Sequence, residues 1–305
     1  MSRIGRESIV LPGGRFGLLR CPAHAGGSTQ LGTWSTRPLL VLLHGFPDHP
    51  PTFEALMVAL ADAGYDVVAP WLRGYAPSTL AGPYHVDRIA QDALELASAL
   101  GHERFVLVGH DWGAVATYVA CALAPARIAA AVALSIPHPF AFRKLEQLAL
   151  SAYMPLLAAP GGASLARALD FRFVDLLWRR WSPGLRLPEP QRRALHACLA
   201  ESWPAPARYY RALLSQPSRT LGRLGPRLRL KVPLLHLHGA DDGCVALETG
   251  RDQARWFDAP FASEARAGVG HFLALEAPEW VAERALAWFA RHAAPALAIP
   301  PRIEA

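Results

Sequence analysis

The sequence is poor in lysine and has no long apolar run. Lys144 and Lys231 are its only lysines, although Lys and Arg together number 31. No apolar stretch reaches the roughly 18 to 20 residues that a membrane-spanning helix needs. A glutamate and a Pro-Gly-Gly turn interrupt any signal-peptide core in the N-terminal "MSRIGRESIVLPGG". We therefore expect no membrane partner, a chain that is mature as written and a cytoplasmic location.

Cysteine is also scarce, and its spacing excludes a common metal site. The four cysteines, Cys21, Cys121, Cys198 and Cys244, form no CxxC pair. Zinc sites usually draw on closely spaced pairs, and unpaired cysteines are expected to be reduced thiols. The sequence therefore predicts free thiols, no metal and no other cofactor.

The positive charge does not form a nucleic-acid motif. The formal net charge is +6, but the arginines are scattered among alanine, leucine and proline. The densest cluster, "LGRLGPRLRLK" at 221–231, is typical of a solvated connector. No recognised nucleic-acid motif accompanies it, and we expect no nucleic-acid partner.

What the sequence does contain is a regular alternation of apolar strands and amphipathic helices. Its 305 residues, 52% of them hydrophobic, are enough for one sizeable core. A hairpin is predicted from "ESIVLP" and "FGLLRC". Buried strands are predicted at "PLLVLLHG", "YDVVAPWLRG", "RFVLVGHD", "RIAAAVALSIP" and "KVPLLHLHG", with helices between most of them. Such alternation predicts the α/β class with a mostly parallel central sheet flanked by helices.

The alternation stops between about 138 and 230, where helix-like segments follow one another without strands. The segments are "FRKLEQLALSAYMPLLA", "ASLARALDFRFVDLLWRRW", "PEPQRRALHACLAES" and "PARYYRALLSQ". After "KVPLLHLHG" come a predicted helix near 248–257, a strand "FASEARAG" and a helix "PEWVAERALAWFARHA". We predict a core of 1–137 and 231–292, a helical insertion at 138–230 and an irregular tail at 293–305.

The stretch "GHDWGA" has the spacing of a nucleophile elbow, with Asp111 at its apex. In this strand-turn-helix motif the apical residue adopts a strained backbone, so the residues two away must be small. Gly109 and Gly113 meet that requirement. The apical side chain then points to the carboxyl end of the sheet, where α/β proteins bind ligands. The alternative is that Asp111 only caps the helix that starts at Trp112.

Three further motifs follow predicted strands and reach the same edge of the sheet. They are "HGFPD" at 44–48, "HGADD" at 238–242 and "GVGHF" at 268–272. Together with the elbow they give the order Asp111, Asp242, His271, which is a nucleophile, acid and histidine order. Asp241 is an alternative for the acid, and His271 could instead be a packed histidine beside a glycine turn.

These motifs resemble the α/β-hydrolase fold, and most of all the epoxide hydrolases. The resemblance covers roughly residues 10 to 292 and includes "HGFPD", "RGYAPS", "GHDWGA", "HGADD" and "GHFLALEAPE". It implies an α/β-hydrolase fold with an inserted helical cap, and a scaffold role for Arg73. The G-x-x-D pattern of the family favours Asp242 as the acid. "GHDWG" is shared with haloalkane dehalogenases and does not separate the two groups.

A carboxylate at the elbow suits displacement at saturated carbon, because attack on a carbonyl would give an anhydride. Asp111 would form an alkyl-enzyme ester, and water activated by His271 would hydrolyse it. Asp242 would orient His271. The backbone N–H groups of Phe46 and Trp112 would hold the oxyanion.

The choice between an epoxide and a halide depends on a proton donor for the departing oxygen. The resemblance implies that Tyr153, in "SAYMPLLAAPG", and Tyr210, in "RYYRAL", supply it from the cap, with Tyr209 as a packing neighbour. The alternative is that both tyrosines only pack cap helices. Phe46 stands where haloalkane dehalogenases often carry an asparagine that binds the halide.

The sequence as a whole predicts an epoxide hydrolase that opens a small hydrophobic epoxide with water to a vicinal diol. Phe46, Trp112, Tyr153 and Tyr210 would contact the substrate. The apolar insertion favours a hydrophobic substrate, although its rings could equally belong to the core: Phe171, Phe173, Trp178 and Trp181. The alternatives are a haloalkane or haloacid dehalogenase, another hydrolase of the fold, or a non-enzymatic ligand-binding protein on the same scaffold. The sequence does not distinguish a monomer from a homodimer.

Overall fold

A computed structural model describes residues 3–23, 37–142, 145–168, 170–215, 229–293 and 297. The predicted tail at 293–305 lies outside these residues except for 293 and 297. Most of the basic cluster at 221–231 also lies outside them, since only 229–231 are described.

An eight-stranded sheet forms the centre of the molecule and confirms the predicted α/β class. Its spatial order is β1-β2-β4-β3-β5-β6-β7-β8. β1 pairs antiparallel with β2, as the predicted hairpin requires, and β2 pairs antiparallel with β4. All other pairings are parallel. The strands are β1 Gly5–Leu11, β2 Gly14–Cys21, β3 Leu39–Leu43, β4 Asp66–Pro70, β5 Phe105–His110, β6 Ile128–Leu134, β7 Leu234–Gly239 and β8 Phe261–Arg266.

The apolar runs form the middle of the sheet because helices cover both faces. Every residue of β3, β5, β6 and β7 is buried, as expected for parallel strands within an α/β core. By contrast β8, at the edge, has no buried residue. The helices that accompany the sheet are α1 Glu54–Asp62, α2 Val86–Ala99, α3 Trp112–Leu123, α10 Leu273–Glu276 and α11 Pro278–His292.

Between β6 and β7 the described residues contain helices and no strand. The helices are α4 Leu145–Leu150, α5 Tyr153–Ala158, α6 Gly162–Ala168, α7 Arg172–Trp181, α8 Glu189–Ser202 and α9 Arg208–Ser215. Two predicted segments each divide into two helices. Pro155 cannot donate a backbone hydrogen bond back into the preceding turn, so α5 starts afresh at Tyr153. Asp170 and Phe171 adopt left-handed backbone angles between α6 and α7. The division of the chain into domains stays a prediction.

The predicted helix near 248–257 is wrong. The structure has two short 3₁₀ turns there, Leu247–Gly250 and Gln253–Trp256. Both Thr249 and Gln253 are buried, and their side chains bond to Gln147 and His236. These tertiary hydrogen bonds override the local helical pattern.

No helix among the described residues is long and apolar enough to cross a membrane.

Candidate active site

The elbow at Asp111 has the strained geometry that its sequence predicts. Asp111 joins β5 to α3 with φ 51° and ψ −117°, a backbone conformation that residues other than glycine rarely adopt. A Cβ on Gly109 would lie 2.2 Å from the carbonyl oxygen of Gly113, and one on Gly113 would lie 2.1 Å from that of Leu43. Only glycine fits at these two positions.

The carboxylate of Asp111 does not cap the helix, so that alternative is wrong. Its side chain makes no capping hydrogen bond to α3. Instead the backbone N–H of Phe46 donates to Asp111 Oδ1 at 2.7 Å. A Cβ on Gly45 would lie 2.3 Å from the same oxygen. The loop after β3 therefore holds one carboxylate oxygen and needs glycine to approach it.

Two histidines that flank the site fix the backbone around it. Leu72 N–H donates to His44 Nε2, so Nδ1–H donates to the Gly45 carbonyl. Burial lowers the pKa of His44 to about 4, which keeps it neutral. His110 Nε2–H donates to the backbone carbonyl of His271 at 3.0 Å. Both residues support the geometry of the turns around the site.

Asp242 contacts His271, whereas Asp241 is exposed. His271 Nδ1 lies 2.8 Å from Asp242 Oδ2. The other carboxylate oxygen accepts the backbone N–H groups of Cys244 and Val245 at 2.7 and 2.9 Å. This cradle aims Asp242 at the imidazole and fixes the tautomer in which Nδ1 carries the proton.

The opposite nitrogen of His271 faces Asp111. Nε2 lies 3.7 Å from Asp111 Oδ2, and it has no hydrogen-bond partner among the described atoms. Burial of His271 favours its neutral form, but the negative charges of Asp242 and Asp111 and the hydrogen bond to Asp242 outweigh burial and raise its pKa to about 10. In the free protein the imidazole is therefore charged at neutral pH, between two carboxylates.

The two predicted tyrosines meet beside Asp111. The rings of Tyr153 and Tyr210 lie edge to face, 5.5 Å apart between centroids. Tyr210 also packs edge to face on Phe46 and Trp112, at 5.2 Å from each. Burial and the nearby Asp111 carboxylate raise the pKa of Tyr210 well above its ordinary value, so the phenol keeps its proton.

The hydroxyl groups of the three neighbouring tyrosines differ in what they contact. The Tyr210 hydroxyl is buried and makes no hydrogen bond to any described atom. The Tyr153 hydroxyl lies 3.7 Å from Cys244 Sγ. Tyr209 donates its hydroxyl proton to the backbone carbonyl of Arg73, so it is a packing neighbour, as predicted. Arg73 itself is buried and binds Asp92 through two hydrogen bonds of 2.8 Å, consistent with a scaffold role.

A cavity of about 340 Å³ opens onto these groups. Asp111, Trp112, Tyr153 and Tyr210 line it, but the Phe46 side chain does not. The rest of the lining is mostly apolar: Val115, Ile136, Pro139, Phe142, Leu148, Ala152, Met154, Pro155, Leu213, Leu214 and Val245. The cavity therefore suits an apolar molecule whose reactive end meets Asp111.

The aromatic residues singled out in the insertion do not line this cavity. Phe171 packs on Trp203, and Trp178 stacks on Phe272 at 3.5 Å between centroids. They belong to the core. Cys244, which does line the cavity, was missed because its position depends on contacts between distant segments. No local sequence signal marks it.

No group of three or more His, Cys, Asp and Glu side chains in the described ranges could hold a metal ion. All four cysteines are free.

A family model described as the alpha/beta hydrolase fold matches residues 38–278. The chain therefore belongs to the α/β-hydrolase fold family.

The individual relatives match either about a third of this chain or most of it at lower sequence identity. Over 103 residues the chain is 44% identical to epoxide hydrolase A of Mycobacterium tuberculosis, covering 33% of this chain and 32% of that protein. Over 262 residues it is 28% identical to epoxide hydrolase 3 of Xenopus tropicalis, covering 80% and 69%. The chain spans about a third of the length of the first curated relatives that it matches.

Solved structures extend the likeness to nearly the whole chain. The crystal structure of epoxide hydrolase A from Mycobacterium thermoresistibile superposes with a TM-score of 0.74 at 24% identity, covering 94% of this chain and 98% of that one. At this identity the likeness concerns the fold, and the chemistry has to be argued from the site.

Proposed function

We propose that this protein is an epoxide hydrolase, which opens a small hydrophobic epoxide with water to a vicinal diol. One observation carries the proposal. The buried carboxylate of Asp111 shares an apolar cavity with the hydroxyl of Tyr210, and that hydroxyl has no partner among the described residues. A nucleophile for carbon and an acid for oxygen are the two groups that epoxide opening requires.

In the first step Asp111 attacks an epoxide carbon and forms an alkyl ester. Its Oδ1 is held by the Phe46 N–H, so Oδ2 is the nucleophilic oxygen. The carbon–oxygen bond of the ring breaks, and the departing oxygen takes a proton from Tyr210, with Tyr153 as the second donor. Their raised pKa values keep both phenols protonated until the oxygen becomes basic.

In the second step His271 activates the water that hydrolyses the ester. Once Asp111 is an ester it no longer carries the negative charge that helps to raise the pKa of His271. The pKa of His271 then falls, so the imidazolium gives up its Nε2 proton, and this proton restores the phenol that was deprotonated in the first step. The neutral Nε2 can then accept a proton from a water placed between it and the ester carbon. The bond between the acyl carbon and the alkyl oxygen breaks, which releases the diol and the Asp111 carboxylate. Asp242 stabilises the imidazolium. The N–H groups of Phe46 and Trp112 hold the tetrahedral oxyanion.

The substrate and the architecture follow from the same cavity. Asp111 is the only charged residue of the described lining, so the cavity favours neutral apolar epoxides over anionic ones. Tyr153 and Tyr210 both come from the helices between β6 and β7. We therefore propose 138–230 as a cap domain on a core of 1–137 and 231–292, with 293–305 as a tail. The reaction consumes water and needs no cofactor. The four free thiols support a reducing compartment such as the cytoplasm.

The test compares chemistry on two electrophiles. Wild-type protein should convert an aryl epoxide to its diol and release no halide from a haloalkane, because the Phe46 side chain offers no hydrogen bond to a halide. The His271→Gln variant should accumulate Asp111 carrying one substrate mass, seen by intact and peptide mass spectrometry. The Asp111→Asn variant, matched in size, should stay unmodified. Halide release without diol formation would assign the protein to the dehalogenases, and an unmodified His271→Gln variant that still turns over would exclude the ester mechanism.

A further inference from the structure

We propose that the end of α7, defined as Trp181 and Ser182, positions both loops that carry Asp242 and His271, and that Ser182 and Glu276 are positioning residues for His271. The proposal rests on the proposed function in one respect, since it takes His271 as the base of the hydrolysis step.

A single backbone carbonyl joins the two loops. The oxygen of Trp181 accepts the N–H of His271 at 3.0 Å and the N–H of Gly243 at 3.1 Å. Gly243 directly follows Asp242. The same carbonyl at the end of α7 therefore fixes the positions of both the acid and the base, although these lie on loops after two different strands.

The hydroxyl of Ser182 adds a second anchor, and Glu276 completes it. Ser182 Oγ accepts the N–H groups of His271 and Phe272 at 2.9 and 3.2 Å, and donates to Glu276 Oε1 at 2.6 Å. Glu276 in turn accepts the N–H of Phe272 at 3.1 Å and, on its other oxygen, that of Gly270 at 3.0 Å. Three consecutive backbone N–H groups around His271 thus have fixed partners.

Close packing supports the same relationship. A Cβ on Gly270 would lie 2.5 Å from the Cα of Ser182, and a Cβ on Gly243 would lie 2.0 Å from the carbonyl oxygen of Arg180. Each catalytic loop carries a glycine beside its functional residue, and each glycine lies against the last residues of α7. Ser182 is fully buried, so water does not compete for these hydrogen bonds.

The consequence is that the base depends on the helical segment between β6 and β7. That segment already supplies Tyr153 and Tyr210, which serve the alkylation step. Through the end of α7 it would also set the position of the imidazole, which serves the hydrolysis step. Loss of the Ser182 anchor should therefore slow ester hydrolysis selectively and leave alkylation unchanged.

The experiment measures the two steps separately in single-turnover reactions with an aryl epoxide. Intact mass spectrometry follows formation and decay of the alkyl-enzyme in wild type, His271→Gln, Ser182→Ala and Glu276→Gln. Ser202→Ala is the matched control, because Ser202 is a buried serine of α8 whose Oγ accepts the Ala76 N–H at 2.8 Å, away from both loops. Circular dichroism and thermal melting check folding. If Ser182→Ala does not fold, Glu276→Gln tests the inference alone, because it keeps the size of the side chain.

We expect alkylation at the wild-type rate and ester decay slower by about 10- to 100-fold in Ser182→Ala and Glu276→Gln, since small displacements of a catalytic group have effects of this order. Ser202→Ala should match wild type in both steps. Ester decay at the wild-type rate in both folded variants would overturn the inference alone, provided that His271→Gln accumulates ester. An equal fall in the rates of alkylation and ester decay would show that the Ser182 and Glu276 contacts serve only folding, and this result would also overturn the inference. Absence of ester in His271→Gln would instead overturn the proposed function, and with it this inference.

Discussion

The hydroxyl oxygen of Tyr153 lies 3.7 Å from Cys244 Sγ, so this phenol has a neighbour to which it can donate even when the cavity is empty of substrate. Tyr210 differs, because its buried hydroxyl makes no hydrogen bond among the described residues. A thiol is a weak partner. In the proposed mechanism Tyr210 therefore has no hydrogen bond to break before it protonates the departing oxygen, whereas Tyr153 has the contact with Cys244.

The first prediction concerns these two hydroxyl groups. Tyr210→Phe should lower the alkylation rate on an aryl epoxide by about 10²- to 10³-fold, the usual effect of losing one transition-state donor. Tyr153→Phe should have a smaller effect, and the double variant should be slower than either. The measurement is the single-turnover rate of ester formation by rapid quench.

Tyr209→Phe is the matched control, since it removes a neighbouring hydroxyl that donates to the Arg73 carbonyl and not into the cavity. Loss of this hydrogen bond should lower the free energy of unfolding by about 1 kcal/mol and leave the alkylation rate unchanged. Undiminished diol formation in the folded double variant would leave Tyr153 and Tyr210 as packing residues.

The second prediction concerns the glycine beside the nucleophile. In Gly45→Ala the new methyl group would start 2.3 Å from Asp111 Oδ1, so the carboxylate must move. A displacement of about 1 Å should lower kcat on an epoxide by about 10²-fold. Gly184→Ala is the control, because a Cβ on Gly184 would lie 4.0 Å from the nearest atom, the carbonyl oxygen of Gly268. Equal kcat values for the two variants would contradict the geometry of this loop.

The third prediction is a pH dependence of stability. The pKa of His271 is raised from its ordinary value of 6.5 to about 10 in the fold. A raised pKa means that the folded state binds the proton more tightly, so its stabilising effect is complete below pH 6.5 and is lost as the pH rises towards 10. Wild type should therefore lose more Tm than His271→Gln between pH 6.5 and 10. Differential scanning calorimetry at matched ionic strength measures this, and parallel curves would refute it.

The fourth prediction tests the buried scaffold ion pair. Arg73→Leu should lower the free energy of unfolding by about 3 kcal/mol, because Asp92 then stays buried with one of its cations removed. Arg192→Ala, which breaks the pairs of a solvent-exposed arginine with Glu189 and Asp175, should change the free energy of unfolding far less, because water screens such pairs. Urea unfolding at neutral pH compares the two. Similar losses in both variants would show that burial of the pair is unimportant.

The sheet was predictable because buried parallel strands appear as continuous apolar runs, as in β3 and β5. The elbow was predictable because two glycines at a fixed spacing mark its strain, and the resemblance to the family, through its G-x-x-D pattern, favoured Asp242 over Asp241. Contacts between distant segments left no such local signal. The Tyr153–Cys244 contact joins residues 91 positions apart, and the Ser182–His271 contact joins residues 89 apart. The wrong helix near 248–257 has the same cause, since Gln147 binds Thr249 from another segment.

The order of the strands has a consequence for how the chain folds. Neighbouring strands β6 and β7 pair at Ala131 and Leu234, so about a hundred residues of chain must close into a loop before they can meet. Such non-local parallel pairing is slow. The Asp111 elbow needs only the strands up to β6, whereas Asp242 and His271 follow β7 and β8. We therefore expect a refolding chain to form the Asp111 elbow before it places Asp242 and His271, because the long segment between β6 and β7 has to close first.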